Sequence, residues 1–247
     1  DQMNNFTYYT PTKVVFGRGS EGQTGALVRE RGCKKVLLHY GGGSAVRSGL
    51  LDRVKARLTG EVSVFDRVEP DPSLRLVAEG VRAVRTFRPE AVVAFGGGSP
   101  MDCAKAMCWF SGDRDLPLYC IPTTAGTGSE VTSFAVLTDT DQDVKYPLVE
   151  EDLLPEAAIL DASLLEGVPP HVTADTGMDV LTHAAEAVAA KGASPFSDAL
   201  AEKAFALAYR RLPEAHAGSR EAKQDMLLAS CMAGMAFNAA GLGVCHS

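Results

Sequence analysis

The sequence predicts an α/β N-terminal domain built on a doubly wound parallel sheet, followed by an all-helical C-terminal domain. Three observations carry this. Short apolar strands alternate with helical stretches up to about residue 160, the order that makes βαβ units and a parallel sheet. Two of those strands run into the same kind of turn, Gly41-Gly42-Gly43-Ser44 and Gly96-Gly97-Gly98-Ser99. Beyond Asp161 the strands give way to Ala-, Leu- and Met-rich segments at helical spacing, which places the boundary near 165 and divides the chain into residues 1–165 and 166–247.

Taken in order, residues 6–16 (FTYYTPTKVVF) read as one or two short strands interrupted by Pro11, and Gly17 and Gly19 turn the chain into a helix over about 21–31. Val36–Tyr40 is a buried strand that ends in the first glycine run, after which 46–58 has helical periodicity. A strand over 62–68, a helix over 72–87 and the fully apolar strand 91–95 follow, then the second glycine run and a helix with Pro100 in its first turn. Leu118–Pro122 is a further strand, Thr140–Asp143 the tip of a hairpin, and 158–160 the last strand. Helices are predicted over 175–190, 196–211 and 221–240, with Pro169, Pro170, Pro195 and Pro213 between them.

Composition narrows the function classes. With 46% hydrophobic and 22% charged residues the chain has the composition of a folded protein rather than a disordered one. A net charge of −7, with no block of Lys or Arg, argues against nucleic acid or an anionic membrane surface as partner. No apolar run approaches the roughly 18 residues needed to cross a bilayer. The six cysteines are scattered without a C-x-x-C pair and no secretory segment is recognisable, so we expect a reducing, cytoplasmic setting and small-molecule ligands.

Three stretches carry chemistry. In the glycine runs, Gly42, Gly43 and Ser44 and then Gly97, Gly98 and Ser99, backbone free of Cβ opens a helix whose N-terminal amides suit a phosphate. A tight βα turn explains a single copy equally well, and neither is the G-x-G-x-x-G fingerprint. The second copy, with Asp102 one turn later, is the better pyrophosphate candidate. Ile121–Glu130 (IPTTAGTGSE) presents the hydroxyls of Thr123, Thr124 and Thr127 around two glycines; ribose or carboxamide binding and a helix start capped by a Thr127/Glu130 box are level on composition. Finally, Asp179 and His183 lie four residues apart in a helical segment and share a face. Taken alone this fits a hydrogen bond across one helical turn better than a ligand pair, but it is also half of a site for a divalent cation, and beside it His246, in a glycine-flanked turn, becomes a third donor rather than a merely solvated histidine. His39, His171 and His216 read as structural or surface residues.

GGGSPMDCAKA, IPTTAGTGSEVTSFAVLTD, VKYPL, LLPEAAILDASL, GMDVLTHAAEA, SPFSDAL and AGLGVCHS, in this order and spacing, resemble the iron-containing (group III metal-dependent) alcohol dehydrogenases. The resemblance implies an NAD(P)-dependent oxidoreductase that interconverts a small alcohol and its aldehyde. It implies metal ligation by Asp179, His183 and His246, with Fe²⁺ as the metal and Zn²⁺ or another divalent ion as alternatives. Nucleotide contacts fall on Gly97, Gly98, Ser99, Asp102, Thr123, Thr124, Thr127 and Lys145, and a homodimer is expected. The family has a further histidine ligand beyond the last residue here, so the helical domain is read as incomplete. Where many members carry an acidic residue after the first nucleotide-binding strand, this chain has His39-Tyr40-Gly41-Gly42-Gly43-Ser44 with Arg47 close by, which resembles the NADP-preferring branch. Two rival readings remain at this point: an inactive nucleotide-binding fragment, and a lyase of the dehydroquinate synthase type.

Overall fold

The computed structural model describes residues 5–246. They fall into two compact units, one made of residues 12–123 and 133–161, the other of the N-terminal segment to Pro11, Thr124–Thr132 and everything from Ala162. Relative to a single cut near 165, two short segments are exchanged: the chain start and Thr124–Thr132 belong with the helices.

The first unit holds the sheet. Its strands are β1 (Lys13–Phe16), β2 (Lys35–Tyr40), β3 (Glu61–Phe65), β4 (Ala91–Gly96) and β5 (Leu118–Pro122), with β6 (Phe134–Asp139) and β7 (Val144–Val149) forming a separate antiparallel hairpin and β8 (Ala157–Leu160) returning to the main sheet. The main order is β1-β8-β5-β4-β2-β3, with every pairing parallel. Strands β4 and β5 are buried along their whole length, as near-continuous apolar runs in a sheet covered on its faces should be. Helices α1 (Thr24–Glu30), α2 (Gly42–Arg47), α3 (Leu50–Arg57), α4 (Leu74–Phe87) and α5 (Gly98–Ser111) intervene between the strands. The chain leaves β2 for β3 on one side, then resumes with β4 and β5 on the other. The order therefore reverses between β2 and β4, the place where an open parallel sheet offers a crevice at its carboxyl edge.

Two expectations for the first 60 residues need correction. Residues 6–10 form no strand; the rings of Phe6 and Tyr8 instead pack on Phe196, at centroid distances of 5.7 and 5.3 Å, within the helical unit. The helix expected over 46–58 is two helices, because Gly49 adopts φ 72°, a left-handed conformation that ends one helix and starts the next.

The second unit is built on α6 (Pro170–Ala189), α7 (Pro195–His216) and α8 (Arg220–Ala240). Ala184 and Ala187, Ala201, Ala204 and Ala208, and Ala229, Ala233 and Ala236 are fully buried at three- and four-residue spacing, so each helix presents a face of small side chains that lets its neighbours approach closely. Lys223 is buried at the start of α8, and its ammonium donates to the carbonyls of Leu165, Glu166 and Val168, matching three donors to three acceptors in the segment that leads into α6. The capping box predicted at Thr127/Glu130 does not form; the reciprocal pair is Ser194 and Ser197 at the start of α7. Pro213, expected between helices, lies inside α7, and His216 is that helix's last residue. Packing along α7 and the Arg211 pairs with Asp225 and Glu214, each at 2.6 Å, carry the helix past the proline. His171 lies in the first turn of α6. Among the described residues no helix is long and apolar enough to cross a membrane.

Candidate metal centre and nucleotide-binding edge

The donor cluster is assembled by one helix and one turn of the helical unit. On α6, Asp179, His183 and Glu186 follow at intervals of four and three residues and so face the same way. The last short turn, Val244–His246, brings the third candidate to them. Asp179, His183 and His246 each offer one ligand atom, and these atoms lie within 4.8 Å of one another. The Asp179 carboxylate oxygen is 3.5 Å from His183 Nε2 and 3.2 Å from His246 Nε2. One anionic oxygen and two imidazole nitrogens suit a borderline divalent cation such as Fe²⁺ or Zn²⁺.

The surroundings favour that use. His183 is almost fully buried against the Phe237 ring, 4.6 Å away. Burial lowers its pKa against the opposing pull of Asp179, and the neighbouring His246 lowers it further, which keeps the ring in the neutral form that ligation needs. The Gly126 carbonyl lies toward the ring without reaching hydrogen-bond geometry, and His183 Nδ1 has no partner among the described residues. Glu186 was not singled out by the sequence reading, although its place seven residues after Asp179 marks the same helical face. Its Oε2 meets His246 Nδ1 at 2.6 Å, and its Oε1 accepts the Cys245 N–H at 2.6 Å. Burial works to raise the Glu186 carboxyl, but the hydrogen bonds from His246, Cys245 and Gly243 hold it down to about 2.

The glycine runs lie at the carboxyl ends of β2 and β4, on either side of the reversal in strand order. Gly96 has φ +142°, and a Cβ there would stand 2.6 Å from Pro100 Cγ and 3.1 Å from the Gly41 nitrogen. Glycine is therefore required at Gly96 by packing of the two turns around the Pro100 ring. Helix α5 begins at Gly98 with Gly97 as its cap residue and no side chain capping its first amides. Thr123 joins this edge, its N–H donating to the Gly96 carbonyl at 2.8 Å.

The other predicted nucleotide residues have structural partners of their own. Asp102 accepts the N–H of Val136 in the β6–β7 hairpin, and the Ser99 hydroxyl accepts the N–H of Asp71. Lys145, on β7, pairs with Asp71 at 2.9 Å. Asp71 thus links Ser99 and Lys145, a connection that the sequence signalled only as an Asp-Pro turn. Thr124 and Thr127 belong to the helical unit; Thr127 is exposed and its hydroxyl accepts the Ser129 N–H in a local turn. At the end of β2, the Arg47 guanidinium folds back over Gly43, with Nη1 2.5 Å from where a Cβ on that glycine would stand. His39 is buried and structural, its Nδ1 bonded to the Phe65 carbonyl at 2.9 Å.

Comparison with known proteins follows both parts of this architecture. The family described as iron-containing alcohol dehydrogenase matches residues 11–162, and the C-terminal part of the same family matches 173–247. The chain is 41% identical to the NADPH-dependent butanol dehydrogenase of Clostridium saccharobutylicum, and 44% identical to the 1-propanol dehydrogenase PduQ of Salmonella typhimurium. Those alignments cover 99% of this chain and 67% and 66% of the two relatives. It is 38% identical to the NAD-dependent methanol dehydrogenase of Bacillus methanolicus, over 99% of this chain and 69% of that protein. Among solved structures, a 1,3-propanediol oxidoreductase superposes with a TM-score of 0.91 at 38% identity, covering 97% of this chain and 68% of that one. The sulfoacetaldehyde reductase of Bifidobacterium kashiwanohense in complex with NAD+ gives a TM-score of 0.90 at 34% identity, covering 97% and 68%. The chain spans about two thirds of the length of the relatives that it matches. The Asp-His-His cluster, the glycine-edged parallel sheet and these matches together place the chain in the iron-containing alcohol dehydrogenase family.

Proposed function

We propose that the protein is a metal-dependent, NAD(P)-linked alcohol dehydrogenase or aldehyde reductase acting on a small alcohol/aldehyde pair, with NADP(H) favoured over NAD(H). The observation that carries this is the set of three donor atoms from Asp179, His183 and His246 within 4.8 Å, in a chain that matches the family along both its parts. When bound, a divalent ion supplies Lewis acidity toward the carbonyl or hydroxyl oxygen, and a nicotinamide supplies or accepts the hydride.

The chain's own residues have separable roles. Asp179 contributes the negative charge that offsets a dication, and His183, kept neutral by burial, contributes a nitrogen lone pair. The uncapped amides at the start of α5, with Gly97, Gly98 and Ser99, would hold a pyrophosphate, and Gly42, Gly43 and Ser44 and the hydroxyls of Thr123, Thr124 and Thr127 would serve the sugars and carboxamide. Asp102 holds the hairpin that carries Lys145, and Lys145, paired here with Asp71, would supply a cation to a ribose hydroxyl. In this reading residues 1–165 bind nucleotide and 166–247 bind metal. A cytoplasmic setting fits the six free cysteines, and a homodimer fits the exposed edge of β1.

The test is NADPH-coupled reduction of propanal and butanal by the purified protein supplied with Fe²⁺. Turnover is expected, and His183→Ala should lose it together with more than 100-fold in metal affinity, beyond the roughly 10–100-fold typical of outer-shell changes. Nucleotide binding without turnover of any short aldehyde would instead support the inactive nucleotide-binding reading.

A further inference from the structure

His246 is placed between two carboxylates. Glu186 Oε2 stands 2.6 Å from its Nδ1, and Asp179 Oδ1 stands 3.2 Å from its Nε2. A neutral imidazole carries one N–H and one lone pair. For the neutral ring that metal ligation needs, the shorter contact favours the N–H on Nδ1, donating to Glu186, with the Nε2 lone pair facing Asp179 and His183. At that face two acceptors oppose each other, an arrangement that a cation between them would neutralise. Glu186 also accepts the Cys245 N–H through its other oxygen, so one side chain grips both the ring and the backbone of the turn that carries it. It cannot itself join the three donors, because it stands on the far side of the ring.

We propose that Glu186 is the positioning residue of the metal centre. Its carboxylate selects the Nδ1–H tautomer of His246, aims Nε2 at Asp179 and His183, and clasps the Val244–His246 turn to α6. This rests on the reading of Asp179, His183 and His246 as metal ligands. The clasp matters because His246 lies in a short exposed turn, whereas Asp179 and His183 are already fixed by a 20-residue helix. Outer-shell carboxylates of this kind orient ligating histidines and raise their basicity, and losing one typically weakens metal binding 10–100-fold.

The experiment is a Co²⁺ titration of the purified protein, followed by visible ligand-field absorption, for the wild type, Glu186→Gln and Glu186→Asp. The wild type is expected to bind one Co²⁺. Glu186→Gln can still accept the Cys245 N–H, but its amide presents N–H to Nδ1 and reverses the tautomer; we expect at least tenfold weaker Co²⁺ binding and an altered spectrum. Glu186→Asp, which keeps the acceptor, should recover most of the affinity. Glu186→Gln within twofold of the wild type, with an unchanged spectrum, would overturn the positioning role and leave the metal centre standing. A wild type that binds no Co²⁺ would overturn the metal centre, and the proposal with it. Should the Gln variant not fold, long-range ¹⁵N–¹H correlation of the His246 ring in Zn²⁺-loaded wild type decides: Nδ1–H supports the proposal and Nε2–H overturns it.

Discussion

At the scale of single residues, the decisive groups are those whose surroundings leave them one protonation state or one partner. His39 is the cleanest case. Burial between β3 and β4 drives its pKa from 6.5 to about 4, only partly opposed by the hydrogen bond to Phe65. In the unfolded chain the same imidazole takes up a proton below about pH 6.5. Stability contributed by the neutral ring is therefore complete above pH 6.5 and is lost as pH falls toward 4, by about 3 kcal/mol. His39→Asn can keep the donor to Phe65 without titrating, so urea unfolding of wild type and variant at pH 7 and pH 4 should show the wild type losing about that much more. Equal losses would remove His39 as the cause. Arg47 is the corresponding residue for nucleotide choice. Its guanidinium already lies over Gly43, and one charge-assisted hydrogen bond to a 2′-phosphate contributes about 1.5–3 kcal/mol. Arg47→Ala should lower the NADPH-over-NADH ratio of kcat/KM by roughly 10–100-fold, and an unchanged ratio would place the preference elsewhere.

At the scale of elements, the carboxyl edge of the sheet depends on two turns that pack as one object. Gly41 and Gly96 approach within a few ångströms of each other, and the Pro100 ring of α5 rests against both. A side chain at Gly96 would have to displace Pro100 while adopting a left-handed φ of +142°. Gly96→Ala is accordingly expected to destabilise the sheet unit by about 1–3 kcal/mol in urea unfolding and to weaken nucleotide binding in parallel. A variant as stable as the wild type would show that the α5 start can shift without consequence. Helix α6 has the complementary role in the other unit. Its 20 residues hold Asp179, His183 and Glu186 on one face, which is why the third donor, carried by a short exposed turn, needs a clasp and the first two do not.

At the scale of the whole molecule, metal and folding are linked. A cation that binds the native donor set and not the unfolded chain stabilises by RT ln(1 + [L]/Kd), about 3 kcal/mol at a hundredfold excess over Kd. For a chain of this size that corresponds to a rise of roughly 5–10 °C in the melting temperature of the helical unit. Thermal scans with Co²⁺ and with EDTA should differ by that amount, and identical scans would mean that the three donors do not capture the ion. The net charge of −7 leaves this balance intact, since a dication is drawn to an acidic protein while nucleic acid is repelled.

The order of strands and helices, the paired glycine turns and the i, i+4 spacing of Asp179 and His183 were determined by the sequence alone, because each is a local pattern of period two, period 3.6 or backbone freedom. The family could be read for the same reason: its motifs are collinear runs that need no folding to be recognised. Tertiary structure decided what local pattern cannot encode. It sent Phe6 and Tyr8 to Phe196 instead of into a strand, and carried α7 through Pro213 with the ion pair of Arg211 and Asp225 on α8. It also occupied Asp102 and Ser99 with backbone partners, which composition could not distinguish from ligand contacts. The clearest instance is the last turn. Glu186 and His246 are sixty residues apart, and only the folding of α8 back along α6 makes one the partner of the other.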